Sequence, residues 1–467
     1  MDIRIIFGPP GTGKTTYLLE ILEKELAKND PDKLAFVSFT KEGTYQGRDR
    51  ALEKFNYNEE DFPYFRTLHS IAFREAKMKR TQMINKEDYK LFSEKMGMNF
   101  TGYYTDEFRH NDDLYLFFNI LHRNNPKIAQ NYLYLLDINK LRFVYDNYRK
   151  FKEYYKLRDF TDLIEGYIEN NKALPVEVAI IDEAQDLTSL QWHMIWVAFK
   201  NCKRVYIAGD DDQAIYEWSG ADVKYFLGLK GKIEILKQSY RLPNTVLKFS
   251  KAITSLIEKR IEKDYRGLDK EGDVYEIINL EELDITINET WLFLSRNVTF
   301  LKEVITFIRN KGLIYDHRGK RSIAKKDIKL INLYEKVRKT MIINERDEAT
   351  LKYHLKKDFN LQSPWYNSFG WDHDKMVYYR DIIASKTNTN KCNIKIDTIH
   401  SVKGGEADNV VLLLDITRQV DKNLNENPDS EHRVFYVGCT RAKKNLFIKY
   451  GSSKYQYKIY GGTNEKE

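Results

Sequence analysis

IRIIFGPPGTGKTTYLLEILEKEL, residues 3–26, is an apolar strand, a glycine-rich turn and a helical run in direct succession. The turn consists of Gly8, Pro9, Pro10, Gly11, Thr12, Gly13, Lys14, Thr15 and Thr16. It matches GxxxxGK[ST], and the strand before it and helix after it are the context that this match requires. Glycines let backbone N–H groups curl around phosphate oxygens, and a helix N-terminus adds its positive end. Lys14 is placed to reach the β- and γ-phosphates of a nucleoside triphosphate, and the Thr15 hydroxyl to bind Mg²⁺.

A second buried strand, VEVAII at 176–181, runs directly into DEAQD at 182–186. A carboxylate at the C-terminal end of such a strand faces the same crevice as the phosphate loop. The expectation is that Asp182 holds Mg²⁺ and Glu183 polarises the attacking water, which turns binding into hydrolysis. One strand later, in GDDDQAIYEWSGA at 209–221, Gln213 is a candidate sensor of the γ-phosphate.

Around these motifs, short strands rich in Val, Ile and Leu recur with helical segments between them, the pattern of parallel sheets buried on both faces. One set is Ile3–Phe7, Leu34–Phe39, Val176–Ile181 and Arg204–Ala208; a second is Ile233–Leu236, Trp291–Ser295, Val410–Asp415 and Asn445–Tyr450. Two sets imply two α/β domains. Residues 70–173 carry almost no strand signal and read as an all-helical insertion, and about 302–393 as a mixed, largely helical interruption of the second domain. Only the tail GGTNEKE, 461–467, has a disordered composition.

At 467 residues the chain has room for roughly three domains. Charged residues are 31% of it and the mean hydropathy is −0.60, with no 18-residue apolar run, which excludes a helical membrane span. Cys202, Cys392 and Cys439 lie far apart, so neither a disulfide framework nor a zinc site is expected, and the compartment reads as reducing cytoplasm. A net charge of +7 suits a polyanionic partner without demanding one.

GPPGTGKTT, FRTLHS (65–70), IIDEAQD, GDDDQAIYEWSGA, QSYRLP (238–243), TIHSVKGGEADNVVLL (398–413) and FYVGCTRAKKNL (435–446) occur in that order. Together they resemble the motif series of superfamily 1 helicases of the UvrD/PcrA/Rep type, from Ile3 to about Phe447. The resemblance implies an α/β fold of two RecA-like parallel-sheet motor domains with helical insertions. The first would take 1–69 and 174–236, with 70–173 as its helical insertion. The second would take 237–343 and 394–460, interrupted by a small accessory insertion at 344–393, a reduced version of the family's mobile accessory domain.

The resemblance also implies ATP as cofactor, with Mg²⁺. Arg241 and Arg441 match the arginines that reach the γ-phosphate, Tyr240 the aromatic that stacks on adenine, and Glu406 the carboxylate that contacts ribose. Phe39 and Thr40 match the first DNA-contacting motif, Thr67 and His69 the second, and Trp218 a base-stacking tryptophan. Thr398, His400 and Lys403 match the grip of the second domain. Tyr216 reads as a packing residue. The implied function is ATP-driven translocation along single-stranded DNA, 3′→5′, with unwinding at single/double-strand junctions in a bacterial or virus-infected cell cytoplasm, at the nucleoid, with loading, replication or repair proteins as partners. A translocase that strips bound proteins and an RNA helicase stay open as alternatives. Only seven residues precede Gly8, so the upstream glutamine motif that reads adenine has no counterpart, which opens nucleotide selectivity.

Overall fold

The computed structural model describes residues 1–38, 48–49, 52–54, 57–104, 112–385, 388–389 and 391–459. Phe39, Thr40 and the tail 461–467 lie outside the described residues.

The first sheet is built from β1 (Asp2–Phe7), β2 (Leu34–Ser38), β3 (Tyr64–Phe65), β4 (Val178–Asp182), β5 (Arg204–Gly209) and β6 (Lys232–Ile235), in the order β3-β2-β4-β5-β1-β6. Every pairing is parallel. Strands β2 and β4 are buried along their whole length because helices cover both faces. One face packs Ile6, Phe36, Val178, Ile180 and Ala208 against Leu18 and Leu22 of helix Lys14–Leu26. The other buries Ile5, Phe7, Val37, Ile181 and Ile207 against helices Leu68–Glu75, Phe160–Asn170 and Ser189–Ala198. Strand β6, grouped with the second set by strand pattern, lies within the 174–236 bounds of the first domain. It pairs with β1 in this sheet, Arg4 opposite Lys232 through Phe7 opposite Ile235, so it closes the first sheet.

Between β3 and β4 the described chain is helical, as the composition implied, apart from an isolated bridge between Met83 and Arg158. The insertion has cores of its own, one around Phe92, Tyr148 and Phe151 and one around Phe117, Phe118 and Leu121. Helix Phe160–Asn170 starts on a reciprocal cap in which Asp159 and Asp162 accept each other's backbone N–H.

β7 (Gln238–Pro243) and β8 (Arg266–Leu268) pair in parallel as a separate ribbon. The second sheet comprises β9 (Val274–Ile277), β10 (Trp291–Ser295), β11 (Tyr315–His317), β12 (Lys320–Arg321), β13 (Ile394–Thr398), β14 (Ala407–Leu413) and β15 (Ala442–Lys449). Its order is β12-β11-β13-β10-β14-β15-β9, parallel except for the β11–β12 hairpin. This is an α/β fold of two RecA-like parallel sheets.

The chain divides into two compact units, and the division is not where the motif order puts it. Residues Met1–Leu247, Lys251–Asp269 and Glu426–Tyr436 form unit 1; Lys270–Asn425 and the chain from Val437 form the bulk of unit 2. The segments 237–247 and 251–269, expected in the second motor domain, therefore belong with the phosphate loop. The reason is local bonding: Ser239 Oγ donates to the Pro10 carbonyl at 2.7 Å, and the Tyr240 N–H donates to the Gly11 carbonyl at 2.8 Å.

Residues 344–393 do not form a body of their own. Leu351, Trp365, Phe369, Tyr378, Tyr379 and Ile382 share one core with Phe293, Val304, Ile396 and Val411 of unit 2. Tyr334 of helix Lys325–Thr340 ties the segment down by donating to the Ser363 carbonyl at 2.9 Å.

Candidate functional site

Strand β1 ends at Phe7, and the loop that follows is fixed at both ends: Gly8 N–H donates to the Gly209 carbonyl at 3.0 Å and Thr12 Oγ1 to the Pro9 carbonyl at 2.8 Å. Gly11 and Gly13 have φ of 72° and 74°, a left-handed backbone that costs other residues about 1–2 kcal/mol. Gly13 is the N-cap of helix Lys14–Leu26, so the loop presents the helix's positive end.

Lys14 reaches to the tip of β4. Its Nζ lies 2.7 Å from Glu183 Oε1 and 3.3 Å from Asp182 Oδ1. Burial pulls the Lys14 ammonium's pKa down, but Asp182 and Glu183 more than offset this, and the net shift is upward. Burial also raises the Asp182 carboxyl against the opposing pull of Lys14. Glu183 takes a left-handed backbone, φ 54°, as the strand breaks into a short turn, which turns its carboxylate toward Lys14.

Three residues not singled out in the sequence complete this edge. Gln185, fully buried, donates to Glu183 Oε2 at 2.5 Å while its Oε1 accepts the Asp210 N–H at 2.9 Å, bridging the tips of β4 and β5. Its signal was its place inside DEAQD. Ser38, in register with Asp182 on β2, projects to the same sheet face, and its Oγ is buried without a hydrogen-bond partner among the described residues. Lys263 is fully buried against the Asp210–Asp212 run, at 3.0 Å from Asp210 Oδ1, and nothing in the sequence marked it. At the end of the β5 turn Gln213 Nε2 donates to Asp210 Oδ2 at 2.7 Å.

These groups suit Mg²⁺, which takes one or two carboxylates plus substrate phosphates rather than a protein cage. Among the described residues there is no group of three or more His, Cys, Asp or Glu side chains able to hold a metal. Asp182 and Thr15 would supply the hard oxygen donors, and the Ser38 hydroxyl in register with Asp182 would offer a further oxygen to a metal-bound water.

Arg241 and Tyr240 of β7 lie against the phosphate loop. A Cβ on Gly11 would overlap Arg241 Cβ, and one on Gly13 would stand 4.0 Å from the Tyr240 ring, whose residue is 70% exposed. In unit 2, Arg441 is 1% exposed, and its guanidinium donates to the Val437 carbonyl at 2.9 Å and the Gly405 carbonyl at 3.5 Å. Glu406 is exposed and Lys403 half-buried in the loop before β14. Thr398 ends β13 with Oγ1 2.9 Å from Ser401 Oγ, and His400 opens the turn that follows.

In unit 1, Thr67 caps helix Leu68–Glu75 by accepting from Ser70 N–H at 3.3 Å. His69 meets the exposed Phe160 edge to face at 5.3 Å, and burial pulls its pKa down to about 4. Trp218 lies nearly parallel to Phe117 at 6.2 Å, and its indole N–H is buried without a partner among the described residues. Tyr216 is half-buried, and burial raises its hydroxyl's pKa.

Two parallel sheets, the first with a phosphate loop facing an Asp-Glu pair at its C-terminal edge, define a P-loop motor ATPase of the two-sheet class. The chain belongs to the UvrD/Rep helicase family, superfamily 1. Residues 2–234 match the UvrD/REP helicase N-terminal domain and 393–448 the UvrD-like helicase C-terminal domain. It is 21% identical to the ATP-dependent DNA helicase Rep of Buchnera aphidicola subsp. Acyrthosiphon pisum over 603 aligned positions, covering 97% of this chain and 93% of that protein. Against Rep of the Schizaphis graminum subspecies the identity is 22%, covering 98% and 92%. The ATP-dependent DNA helicase PcrA of Staphylococcus aureus strain Mu50 is 27% identical over 139 residues, 27% of this chain and 19% of that protein. Among the described residues no helix is long and apolar enough to cross a membrane.

Proposed function

We propose that this chain is an ATP-dependent DNA helicase that translocates 3′→5′ on single-stranded DNA and opens duplex at the junction. The observation that carries the reading is the meeting of Lys14 with Asp182 and Glu183, at 3.3 and 2.7 Å, at the edge of a parallel sheet whose neighbouring strand β5 runs on into a turn holding Asp210 and Gln213.

Lys14 and the loop N–H groups bind and orient the triphosphate. Asp182 and Thr15 would hold Mg²⁺, which when bound neutralises charge on the β- and γ-phosphates. Glu183 accepts the proton of the attacking water as general base, a role worth about 10²–10⁴ in rate. Gln185 holds that carboxylate, and Gln213 reports the γ-phosphate. Arg241 and Arg441 take the place of the arginines that stabilise charge on the transferred group, about 10³–10⁵ in rate in other phosphoryl transfers. Tyr240, exposed beside Gly13, supports stacking on the base, and Glu406 contact with the ribose. Thr67, His69, Trp218, Thr398, His400 and Lys403 are the DNA contacts of the reading, together with Phe39 and Thr40. The relatives named above are DNA helicases, which supports DNA over RNA as the strand.

Steady-state ATPase with oligo-dT and oligo-U, and strand displacement on duplexes with 3′ or 5′ tails, test the proposal. Stimulation by oligo-dT and unwinding of the 3′-tailed duplex are expected; unwinding confined to the 5′-tailed duplex overturns the polarity.

A further inference from the structure

We infer that Lys263 is a positioning residue for the γ-phosphate sensor, acting through Asp210 on the amide of Gln213. The inference rests on the reading of Gln213 given under Proposed function.

Residues 258–265, EKRIEKDY, have the composition of a solvated loop, six charged side chains in eight. Glu258, Lys259, Glu262 and Asp264 are exposed accordingly, and Lys263 is the exception. The Lys263 side chain is 0% exposed, with Nζ 3.0 Å from Asp210 Oδ1, 2.5 Å from Asp211 Oδ1 and 2.9 Å from Asp212 Oδ2. Burying an ammonium is costly unless carboxylates surround it, and burying three carboxylates is costlier still. Burial pulls the Lys263 pKa down, yet Asp210, Asp212 and Asp211 more than offset it, and the ammonium is held charged.

The other two acids have further partners. Arg260 grips Asp212 through both oxygens at 2.8 and 2.7 Å. Asp211 accepts the Ile261 N–H at 2.9 Å, and its carbonyl accepts from Arg433 Nε at 2.9 Å. For Asp210, Lys263 is the one cation within ion-pair distance among the described residues. The remaining Asp210 oxygen, Oδ2, accepts from Gln213 Nε2 at 2.7 Å.

That last bond turns the NH₂ end of the Gln213 amide toward Asp210. A carboxylate can only accept, so it selects the rotamer with the NH₂ toward itself and the carbonyl oxygen away. Lys263 in turn anchors Asp210 Oδ1 at 3.0 Å, and without that anchor the carboxylate that orients the Gln213 amide is no longer held in place.

The test measures binding of fluorescent ADP and of its β,γ-imido ATP counterpart to the full chain, with kcat and KM for ATP. Lys263→Met and Gln213→Ala should each reduce the preference for the ATP analogue over ADP by about tenfold or more, the loss expected for a hydrogen bond to a charged group. ADP affinity should stay within about twofold, and kcat should fall more than KM rises. The double variant should be no worse than Gln213→Ala alone, because both act on one element. If Lys263→Met does not fold, Asp211→Asn with Lys263→Met removes one charge of each sign and carries the same test. Equal loss of ADP and analogue binding, or additive losses in the double variant, assigns Lys263 a structural role and overturns the proposal. Retention of the preference in Lys263→Met but not in Gln213→Ala also overturns it. Retention in Gln213→Ala instead defeats the sensor reading itself.

Discussion

Lys14 Nζ and Glu183 Oε1, 169 residues apart in sequence, stand 2.7 Å apart in the structure. One is the phosphate-binding cation and the other the candidate general base, so the two substitutions separate. Glu183→Gln should lower kcat about 10²–10⁴-fold with nucleotide affinity retained. Lys14→Ala should lose affinity and turnover together, read by ATPase kinetics beside equilibrium nucleotide binding.

Gly11→Ala should fail for two reasons that add. Its φ of 72° strains an L-residue by about 1–2 kcal/mol, and the new methyl would overlap Arg241 Cβ and stand 2.8 Å from Ser239 Oγ. A lowered melting temperature with a raised KM for ATP is the expected result. An unchanged KM would show that the loop's fit to β7 is irrelevant to nucleotide binding.

His69 should be neutral at physiological pH and titrate near 4, observable by NMR. Its folded pKa lies below its unfolded value of about 6.5, so below 6.5 the unfolded chain takes up a proton that the folded chain refuses. The stability it contributes is present above pH 6.5 and is lost as pH falls from 6.5 toward 4. His69→Phe should flatten the melting temperature in that window, and DNA affinity should show no His69 protonation step near 6.5.

Trp218→Ala should weaken oligo-dT binding about tenfold, within the roughly 1–3 kcal/mol of a base stack. It should also lower the melting temperature, because the ring packs on Phe117. Trp218→Phe should recover most of both. A stability loss without any change in DNA affinity would leave Trp218 as a strut between the β5 turn and the helical insertion.

Deleting Asn344–Trp371 should unfold unit 2 rather than release a mobile appendage, since Leu351, Trp365 and Phe369 are removed from its core. Circular dichroism and limited proteolysis of the deletion read this directly; a folded, active deletion would sink it.

Much of the fold was legible because its signals are local. A glycine-rich turn between a strand and a helix is fixed by backbone conformation within nine residues. Runs such as LAFVS and VAIID announce burial on both faces by composition alone. The candidate carboxylates followed, because the end of a parallel strand already says which edge its last side chain faces. Where the sequence reading and the structure part, the deciding contacts are distant. By strand pattern β6 reads as well in one sheet as in another, and its pairing with β1 fixes it in the first. The 344–393 segment looks like an insertion until its aromatic residues meet the apolar residues of β10 and β13.

The phosphate loop, the Asp-Glu pair, the motif order and the helicase family were determined by the sequence itself, since each is written in contiguous residues. Only the tertiary structure decided that β7 rests on the phosphate loop, that Gln185 bridges β4 and β5, and that Lys263 lies buried under Asp210. A lysine in a charged stretch has the same local signature whether water or three carboxylates surround it. Its neighbours in space, 51–53 residues away in the chain, make the difference, because burial and Coulomb pairing depend on distance in three dimensions and not on distance along the sequence.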